Sequence, residues 1–339
     1  MKKLRVAIIG CGSIAKKRHA YEYVSNSNVE IVAFCDIKIE RAEQLVKLHG
    51  GKAYSDYREL LQLEKPDVVS VCTPTIHHAP ISISAAEAGA HILCEKPMTV
   101  SLEDATKMIE SAEKNNVMLM IAQNQRYMPS HIRAKELLRE GKLGKVLAFR
   151  STFANKGPEY WSVDGENSWF FRKEDSKFGV IGDLGVHKID LIRWLLDDEV
   201  IEIASFVKNI HKKWTELDDN ATCILHMKNG AIGNITVSWT YHLEENTTEI
   251  WCENGMIKMG DNPDEYTIVE YQNGRVEKYL SETNSLVART RHNSGVINAF
   301  VDHILTKTKP MVSGEEGLQT LKVVLSAVES QNTKKYVNL

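Results

Sequence analysis

The first third of the chain alternates nearly continuous apolar runs with segments of helical periodicity. Runs of Val, Ile, Leu and Cys are typical of strands buried on both faces of a parallel sheet. The runs read RVAIIG, VEIVAFCD, VVSVCTP, HILCEKP and VMLMIAQ, and the helical segments read RAEQLVKLHG, PISISAAEAGA and SLEDATKMIESAEKNN. The last segment opens with a capping box of Ser101 and Asp104 and ends at Asn115 and Asn116. This alternation predicts a doubly wound parallel α/β sheet.

A different pattern follows and predicts a second domain. All six tryptophans lie beyond residue 160, and three Asn-Gly pairs, at 229–230, 254–255 and 273–274, separate runs with partial alternation. Asn-Gly between such runs is a strong hairpin signal, so we expect a large, mostly antiparallel open sheet. Helices are expected after Asp183 and over GVINAFVDHIL and GEEGLQTLKVVLSAVESQ. The patterns place an α/β domain at 1–124 and an α+β domain at 125–339.

Composition narrows the possible partners. The 339 residues, 43% hydrophobic and 26% charged, are typical of a globular protein long enough for two domains. A net charge of −3 gives no electrostatic attraction to nucleic acid or to an anionic membrane. No apolar stretch approaches the roughly 20 residues of a membrane-spanning helix. We therefore expect neither nucleic acid nor membrane as a partner.

The cysteines and the N-terminus bear on the compartment. No two of the six cysteines have zinc-knuckle or CxxC spacing, and four lie in strand-like runs, as is typical of thiols in a reducing cytosol. The basic start and short apolar run MKKLRVAIIGCGSIA resemble a leader, but two glycines break the run and Lys16, Lys17 and Arg18 follow. A buried first strand explains this stretch better than a signal sequence, and we expect a cytoplasmic protein.

The turn IIGCGSIA has the spacing of a dinucleotide-binding site. Gly10 allows a tight turn, Gly12 lets the backbone approach a pyrophosphate, and Ala15 lets the following helix pack on the strand. Asp36 ends the second strand about 20 residues later, where a carboxylate holds the adenosine ribose hydroxyls. The sequence therefore predicts a Rossmann domain.

The same region bears on the choice between NAD and NADP. The Asp36 carboxylate would repel a 2′-phosphate and favours NAD(H). Lys38 and Arg41 favour a phosphate, although a solvated helix start would also contain them. We expect NAD(H) to be preferred, with NADP(H) not excluded.

The stretch GVIGDLGVHKID places three polar residues among Gly, Val, Ile and Leu. Asp183 and His187 are four apart at a predicted helix start, so their side chains share one face. A proton-transfer pair, a metal site, or a helix cap with a packed histidine would each fit. The metal interpretation lacks a convincing third and fourth ligand, since neither His77-His78 nor Asp190 supplies them. We expect no metal.

Lys96 supplies the remaining chemistry. It lies in CEKPM, at the carboxyl end of a predicted strand, where open α/β sheets bind their ligands. A surface lysine in a loop is the plainer alternative. Because the same edge holds the glycine turn, the ammonium would lie close to a bound nicotinamide. Together with Lys96, the pair Asp183 and His187 is interpreted as proton-transfer machinery.

Five motifs run in order along nearly the whole chain: the glycine turn, CTPTIHH, CEKPM, NQRYMP and GDLGVHKID, followed by EEGLQTLKVVLSAVES. With these motifs the chain resembles the Gfo/Idh/MocA family of sugar and polyol dehydrogenases. The resemblance implies a Rossmann domain and an α+β domain that binds substrate and whose open sheet commonly forms dimers or tetramers. The Gly-Gly pair usual before the aspartate is loosened here to GVIGD.

The resemblance also implies an NAD(P)-dependent dehydrogenase acting on a secondary alcohol or ketone of a sugar, polyol or inositol. Its catalytic set falls on Lys96, Asp183 and His187. His187 would be the general base, Lys96 would stabilise the alkoxide, and Asp183 would orient the substrate hydroxyl or the imidazole. The cofactor-binding candidates are Gly10, Gly12, Ser13, Ile14, Asp36, Arg41, Thr73, Pro74, His77, Glu95, Lys96 and Asn124.

Flat rings and bidentate donors suit polyhydroxylated rings, which makes five residues candidates for the sugar pocket. These are Arg126, Tyr127, Trp161, Trp169 and Arg172. Core or interface packing is the alternative for the tryptophans. Asp190 is expected to be structural.

Two other functions remain open. One is a non-catalytic NAD(P)-binding regulator that senses sugars or redox state, and the other is an NAD-dependent glycoside-cleaving enzyme with transient hydride transfer. The presence of Lys96, Asp183 and His187 together favours catalysis over the regulator.

Overall fold

The computed structural model describes residues 2–260, 265–280 and 294–339. Its first sheet has six strands, all paired in parallel, in the order β3-β2-β1-β4-β5-β6. The strands are β1 Leu4–Ile9, β2 Val29–Cys35, β3 Lys52–Tyr54, β4 Val68–Val71, β5 His91–Cys94 and β6 Leu119–Ile121. The expected doubly wound α/β domain is confirmed. The short strand β3 was not predicted, because three residues carry too little apolar pattern.

Helices connect these strands. They are α1 Ala20–Ser25, preceded by a π-helical turn over Ala15–His19, α2 Ile39–His49, α3 Tyr57–Glu64, α4 His78–Glu87 and α5 Leu102–Lys114. Ser101 caps α5 as expected, since the Asp104 amide donates to Ser101 Oγ (3.1 Å), and the Asp104 carboxylate accepts from the Ser101 hydroxyl (2.8 Å). Asn115 caps the other end, as the sequence predicted. The helix α3 was not predicted.

Within the described residues, the second sheet has nine strands in the order β14-β13-β12-β11-β7-β10-β9-β8-β15. Its strands are β7 Val146–Ala154, β8 Val200–Lys208, β9 Asn220–Met227, β10 Ile232–Ser238, β11 Glu245–Cys252, β12 Gly255–Met259, β13 Glu265–Tyr271, β14 Val276–Leu280 and β15 Val337–Asn338. Only the pair β7–β10 is parallel among the pairs in the described part of this sheet. The expected mostly antiparallel sheet is confirmed.

All three Asn-Gly pairs lie in turns between antiparallel strands. They connect β9 to β10, β11 to β12 and β13 to β14. Gly230 has φ of 93° and Gly274 has φ of 81°, left-handed conformations that glycine adopts without a steric penalty. The hairpin predictions are therefore confirmed, and the register of the sheet follows from them.

The second sheet buries one face against helices. The helices after β6 are α6 Pro129–Arg139, α7 Lys173–Ser176, α8 Val186–Leu196, α9 Val296–Thr306 and α10 Gly314–Thr333. α8 packs against α6, α10 and β7, and nine of its eleven residues are buried. The helix that begins just after Asp183 is thus the central helix of this domain.

The C-terminal helices return to the first sheet. Phe300 and Val301 of α9 belong to the same apolar cluster as Val6 and Ile8 of β1. Before α10, the Val312 carbonyl accepts from the Ile121 amide of β6 (2.9 Å). The division of the chain into one domain at residues 1–124 and a second at 125–339 stays a prediction.

None of the helices in the described ranges is both long and apolar enough to cross a membrane.

Candidate active site

The glycine turn has the geometry that a dinucleotide needs. Gly10 has φ of 92°, and a Cβ on it would lie 2.5 Å from the carbonyl carbon of Cys72. A Cβ on Gly12 would meet no atom within 4 Å, so the backbone there faces open space. Ala15 is completely buried against the first sheet. The turn therefore leaves room for a phosphate group at Gly12, beside the start of a helix.

Asp36 lies next to this turn at the carboxyl end of β2. Its Oδ2 accepts from the Cys11 amide (2.8 Å), and its Oδ1 accepts from the Lys38 amide (2.9 Å). The two bonds fix the carboxylate between the glycine turn and the start of α2. This is the place where a carboxylate binds the ribose hydroxyls of a dinucleotide.

A segment of the second domain lies across the same edge. We name residues 155–172 the strap. Ser13 Oγ donates to the Trp161 carbonyl (3.1 Å) and accepts from the Val163 amide (3.0 Å). One residue further, Asp164 pairs with Arg41 and Lys38. The strap thus joins the second domain to the glycine turn and to α2.

Glu95 is held in place by His19 and by the amide of Lys96. It directly follows β5, and its Oε1 lies 2.9 Å from Nε2 of His19, while its Oε2 accepts from the Lys96 amide (3.2 Å). Burial favours the protonated form of Glu95, but the hydrogen bond with His19 and nearby positive charges, including those of Lys96 and Arg18, outweigh it and lower the pKa of Glu95. His19, which the sequence analysis did not single out, therefore positions the loop that carries Lys96.

The two histidines of CTPTIHH have different surroundings. The buried His78 places its ring nitrogens 2.9 Å from the carbonyl oxygens of Thr73 and Pro97, which ties this loop to the one that carries Lys96. His77, the predicted cofactor contact, is exposed at the start of α4. The peptide bond between Lys96 and Pro97 is cis.

Lys96 and Asp183 are in direct contact. The Lys96 ammonium donates to Asp183 Oδ1 (2.7 Å) and to the Asp183 carbonyl (3.0 Å). The other carboxylate oxygen accepts from Trp239 Nε1 (3.0 Å). Both oxygens of Asp183 are engaged, so the carboxylate has one orientation. The sequence analysis gave no indication of Trp239 as a partner.

His187 lies one helical turn further along, in the first turn of α8. It is buried, and its Nδ1 has no hydrogen-bond partner in the described part of the chain. Its ring packs at 5.9 Å from the ring of Phe153. Burial, and then the charges of Lys96, Arg18 and Lys188, hold the pKa of His187 well below its ordinary value. The imidazole is therefore neutral near pH 7, as a proton acceptor must be.

The next residue, Lys188, points towards the sheet. Its buried ammonium donates to Thr248 Oγ1 (3.1 Å) and to the Thr247 carbonyl (3.3 Å) of β11. Burial lowers the pKa of Lys188 to about 7. Its burial could not be predicted from the sequence, because a lysine in a helix is usually on the exposed face.

An aromatic cluster adjoins Asp183. Trp169 stacks on Phe170 at 3.9 Å between ring centroids, and Trp161 meets Phe170 edge-on at 5.0 Å. Phe170 in turn contacts Trp239, the partner of Asp183. The structure thus brings the two predicted pocket tryptophans together around Phe170, which links them to Trp239 beside Asp183.

Arg126 does not join this cluster. Its side chain is 2% exposed, and its Nε and Nη2 donate to the two carboxylate oxygens of Asp190 (2.8 and 2.7 Å). Nη2 also donates to Glu316 (2.8 Å). The nitrogens Nε and Nη2 of the Arg126 guanidinium therefore already have partners inside the protein. The structure therefore favours a structural role for Arg126 over the expected substrate contact, and it places Asp190 in the structural role expected for it.

The other two pocket candidates differ. Arg172 is exposed, pairs with Asp175 and donates to the Asn167 carbonyl (3.0 Å), so its guanidinium is also engaged. Tyr127 has a buried hydroxyl without a hydrogen-bond partner in the described residues. Of these two residues, Tyr127 is the one with a buried hydroxyl that no described residue satisfies.

Further unpartnered groups lie at the carboxyl edge of the first sheet. Thr73 Oγ1, after β4, and Gln123 Oε1, after β6, are buried and lack partners in the described part of the structure. Pro74 and Asn124 directly follow them in the chain and are partly buried. Buried polar groups are normally satisfied, so these atoms indicate a place for a polar ligand. Together with the open Gly12, the edge fits a dinucleotide.

No group of three or more His, Cys, Asp or Glu residues able to hold a metal ion is found within residues 2–260, 265–280 and 294–339.

Comparison with known proteins agrees with this geometry. Residues 4–123 match an oxidoreductase family with an NAD-binding Rossmann fold, and residues 131–258 match the GFO/IDH/MocA C-terminal domain. The two matches together span more than half of the chain.

Individual relatives are similar over most of their length. The chain is 28% identical to the myo-inositol 2-dehydrogenase of Thermotoga maritima, over 99% of this chain and 98% of that protein. It is 32% identical to the glucose-6-phosphate 3-dehydrogenase of Bacillus subtilis, over 70% of this chain and 68% of that protein. A levoglucosan dehydrogenase in complex with NADH and levoglucosan has the same fold, with a TM-score of 0.88 and 25% identity over 99% of each chain.

Proposed function

Because this chain belongs to the Gfo/Idh/MocA family of oxidoreductases with an NAD-binding Rossmann fold, we propose that it is a dehydrogenase of a sugar, polyol or inositol. It transfers a hydride between a nicotinamide dinucleotide and a secondary alcohol or ketone. The observation that carries this proposal is the contact between Lys96 and Asp183, which lie beside a buried, neutral His187.

The first domain holds the cofactor. Gly12 and Ser13 would hold the pyrophosphate, and Asp36 would accept hydrogen bonds from the adenosine ribose. Thr73 and Glu95 lie further along the same edge and would line the nicotinamide part of the site. When bound, the nicotinamide accepts or donates the hydride at its C4 atom.

The protein moves the proton. A neutral His187 takes the proton of the reacting hydroxyl during oxidation and returns it during reduction. The Lys96 ammonium stabilises the negative charge that develops on the substrate oxygen. Asp183 fixes the position of that ammonium, because its own carboxylate is held by Trp239. Proton and charge are thus handled by groups on one side of the substrate carbon.

The substrate lies against the aromatic cluster of Trp161, Trp169 and Phe170. Flat apolar rings pack well against the C–H faces of a sugar ring, while neighbouring polar groups bind its hydroxyls. Tyr127, whose buried hydroxyl has no partner among the described residues, is our candidate for such a group. This surface supports a polyhydroxylated ring as the substrate class.

A substrate panel tests the proposal. Sugars, sugar phosphates, polyols and inositols are each incubated with NAD and with NADP, and the reduced nicotinamide is followed by its absorbance. We expect turnover with at least one cyclic polyol and NAD. Turnover of the same compound should be lost in Lys96→Met but kept in Lys107→Met, a lysine on the exposed face of α5. An unchanged absorbance with every compound, despite NADH binding, would contradict the proposed dehydrogenase.

We also propose that the protein is a homodimer or homotetramer assembled through the second sheet. Strand register puts Phe206, Ile224 and Ile232 on one face, and they are 76%, 55% and 54% exposed. Contiguous exposed apolar side chains mark association surfaces. Burying this face against a second copy would remove them from water.

The state of the cysteines supports a cytoplasmic protein. All six are unpaired and buried, at positions 11, 35, 72, 94, 223 and 252. Free thiols of this kind are typical of a reducing compartment. Fractionation of the source cells with an antibody against the protein would test the compartment.

A further inference from the structure

The strap brings a carboxylate to the adenosine end of the cofactor site. Asp164 Oδ1 accepts from Arg41 Nη2 (2.5 Å) and lies 3.4 Å from Lys38 Nζ. The side chains of Asp164 and Arg41 are only 22% and 21% exposed. Burial favours the protonated form of Asp164, but the two cations outweigh it and lower the pKa of Asp164. This is a charged contact between the two domains, partly shielded from solvent.

The position of this contact matters because Lys38 and Arg41 are the cations nearest to Asp36 along α2. Asp36 is fixed by the Cys11 and Lys38 amides at the place where the ribose hydroxyls bind. A 2′-phosphate on that ribose would need cations beside it to be bound well. In this chain both cations, Arg41 and Lys38, are already paired with the Asp164 carboxylate.

We propose that Asp164 is a specificity residue that disfavours NADP(H) by occupying Arg41 and Lys38. The inference rests on the proposed dinucleotide site and deepens it. An entering 2′-phosphate would have to displace Asp164 from Arg41, and the carboxylates of Asp164 and Asp36 would both repel it. NAD(H) has no 2′-phosphate and therefore avoids this competition. The choice of cofactor is thus made partly by a residue of the substrate domain.

Asp36 alone does not account for the choice under this proposal. Replacing Asp36 with serine removes one repulsive carboxylate but leaves Arg41 and Lys38 bound to Asp164. The single variant should therefore gain little affinity for NADPH. Replacing both aspartates frees the cations and removes both repulsions, so the combined gain should exceed the product of the two separate gains.

Direct titration of NADH and NADPH tests this inference, and the quantity compared is the ratio of the two dissociation constants. In Asp164→Asn the ratio of NADPH to NADH should fall at least about 10-fold, the size expected for a freed charge-assisted hydrogen bond. Glu166→Gln, which changes an exposed carboxylate two residues further along the strap, should leave the ratio unchanged. Adding Arg41→Ala to Asp164→Asn should remove most of the gain, because Arg41 makes the shorter of the two contacts with Asp164.

The outcomes separate this inference from the proposed function. A parent protein that binds neither dinucleotide would contradict the proposed cofactor site itself. A parent protein that binds NADH, with an unchanged ratio in Asp164→Asn, would overturn only the role of Asp164. A gain of the same size without Arg41 would also overturn it, because the effect would then not act through the displaced guanidinium.

Discussion

The Lys96 ammonium lies 2.7 Å from Asp183 Oδ1, although the two residues are 87 positions apart and belong to different domains. Their side chains are 14% and 5% exposed. The contact places the end of a Rossmann strand against the start of the central helix of the second domain. A reacting group bound between the two domains would therefore meet a lysine, a carboxylate and the neutral His187.

Removing either Lys96 or His187 should affect the chemical step far more than cofactor binding. We expect turnover to fall by about 10²–10⁴ in Lys96→Met and in His187→Asn, the usual range for a positioned acid or base. Asp183→Asn should cost less if the carboxylate only orients Lys96. Steady-state kinetics on the substrate found in the panel, with NADH titration alongside, measures both effects.

Near-parental turnover in both variants would contradict this assignment. Asp183 would then be a polar residue of the helix start, and His187 a packed core residue.

The acidic limb of the pH–rate profile should lie below the pKa of an ordinary histidine. A general base must be neutral, and an unperturbed imidazole titrates at about 6.5. Because burial and nearby cations lower the pKa of His187, the base stays neutral to a lower pH. Measuring kcat/KM for oxidation against pH should show activity retained below pH 6.5, and His187→Asn should remove the limb. A limb at or above the ordinary value would exclude His187 as the titrating base.

Lys188 should make stability rise with pH. Its folded pKa is lowered to about 7 by burial, whereas the unfolded chain keeps the proton up to about 10.4. Between these two pKa values the unfolded state binds more protons than the folded state. The free energy of unfolding that Lys188 adds is therefore absent below the folded pKa and grows as the pH rises above it. From pH 7 to 9 the free energy of unfolding should increase by about 2 kcal/mol, a rise that Lys188→Met should lack. Urea unfolding of both proteins at the two pH values gives the comparison.

The pair of Arg126 and Asp190 should matter for stability rather than for substrate binding. Asp190→Asn leaves the buried guanidinium without its main charged partner, which typically costs about 3–5 kcal/mol. We expect a lower urea midpoint with little change in KM at a temperature where the variant is folded. An increase in KM without loss of stability would restore Arg126 to the substrate pocket.

A charge on the open sheet face should weaken assembly. Phe206→Lys and Ile224→Lys each place a cation within the exposed apolar group, where burying it in an interface is costly. Light scattering should show a smaller mass than that of the parent protein. Leu48→Lys, at a 68% exposed position on α2 of the first domain, is the matched control and should keep the parental mass. A monomeric parent protein at micromolar concentration would remove the proposal.

Local signals in the chain were sufficient for much of this architecture. The glycine turn, the helix cap at Ser101 and the three Asn-Gly hairpins are confirmed, because each depends on backbone conformations and hydrogen bonds within a few residues. The apolar runs likewise predicted two different sheets, since burial on both faces or on one face leaves a distinct pattern. The four-residue spacing of Asp183 and His187 predicted that they share a face of one helix.

Contacts between distant parts of the chain could not be predicted from such local signals. The sequence did not predict Trp239 as the partner of Asp183, Asp164 as the partner of Arg41, or Asp190 as the partner of Arg126, a candidate for the substrate pocket. Each of these side chains has several chemically suitable partners in the chain, and composition does not rank them. The packing of the domains and helices selects one, because a buried charge is stable only beside the group that compensates it. The sequence determined which chemical groups are present. The long-range contacts decided whether each group serves catalysis, cofactor choice or structural support.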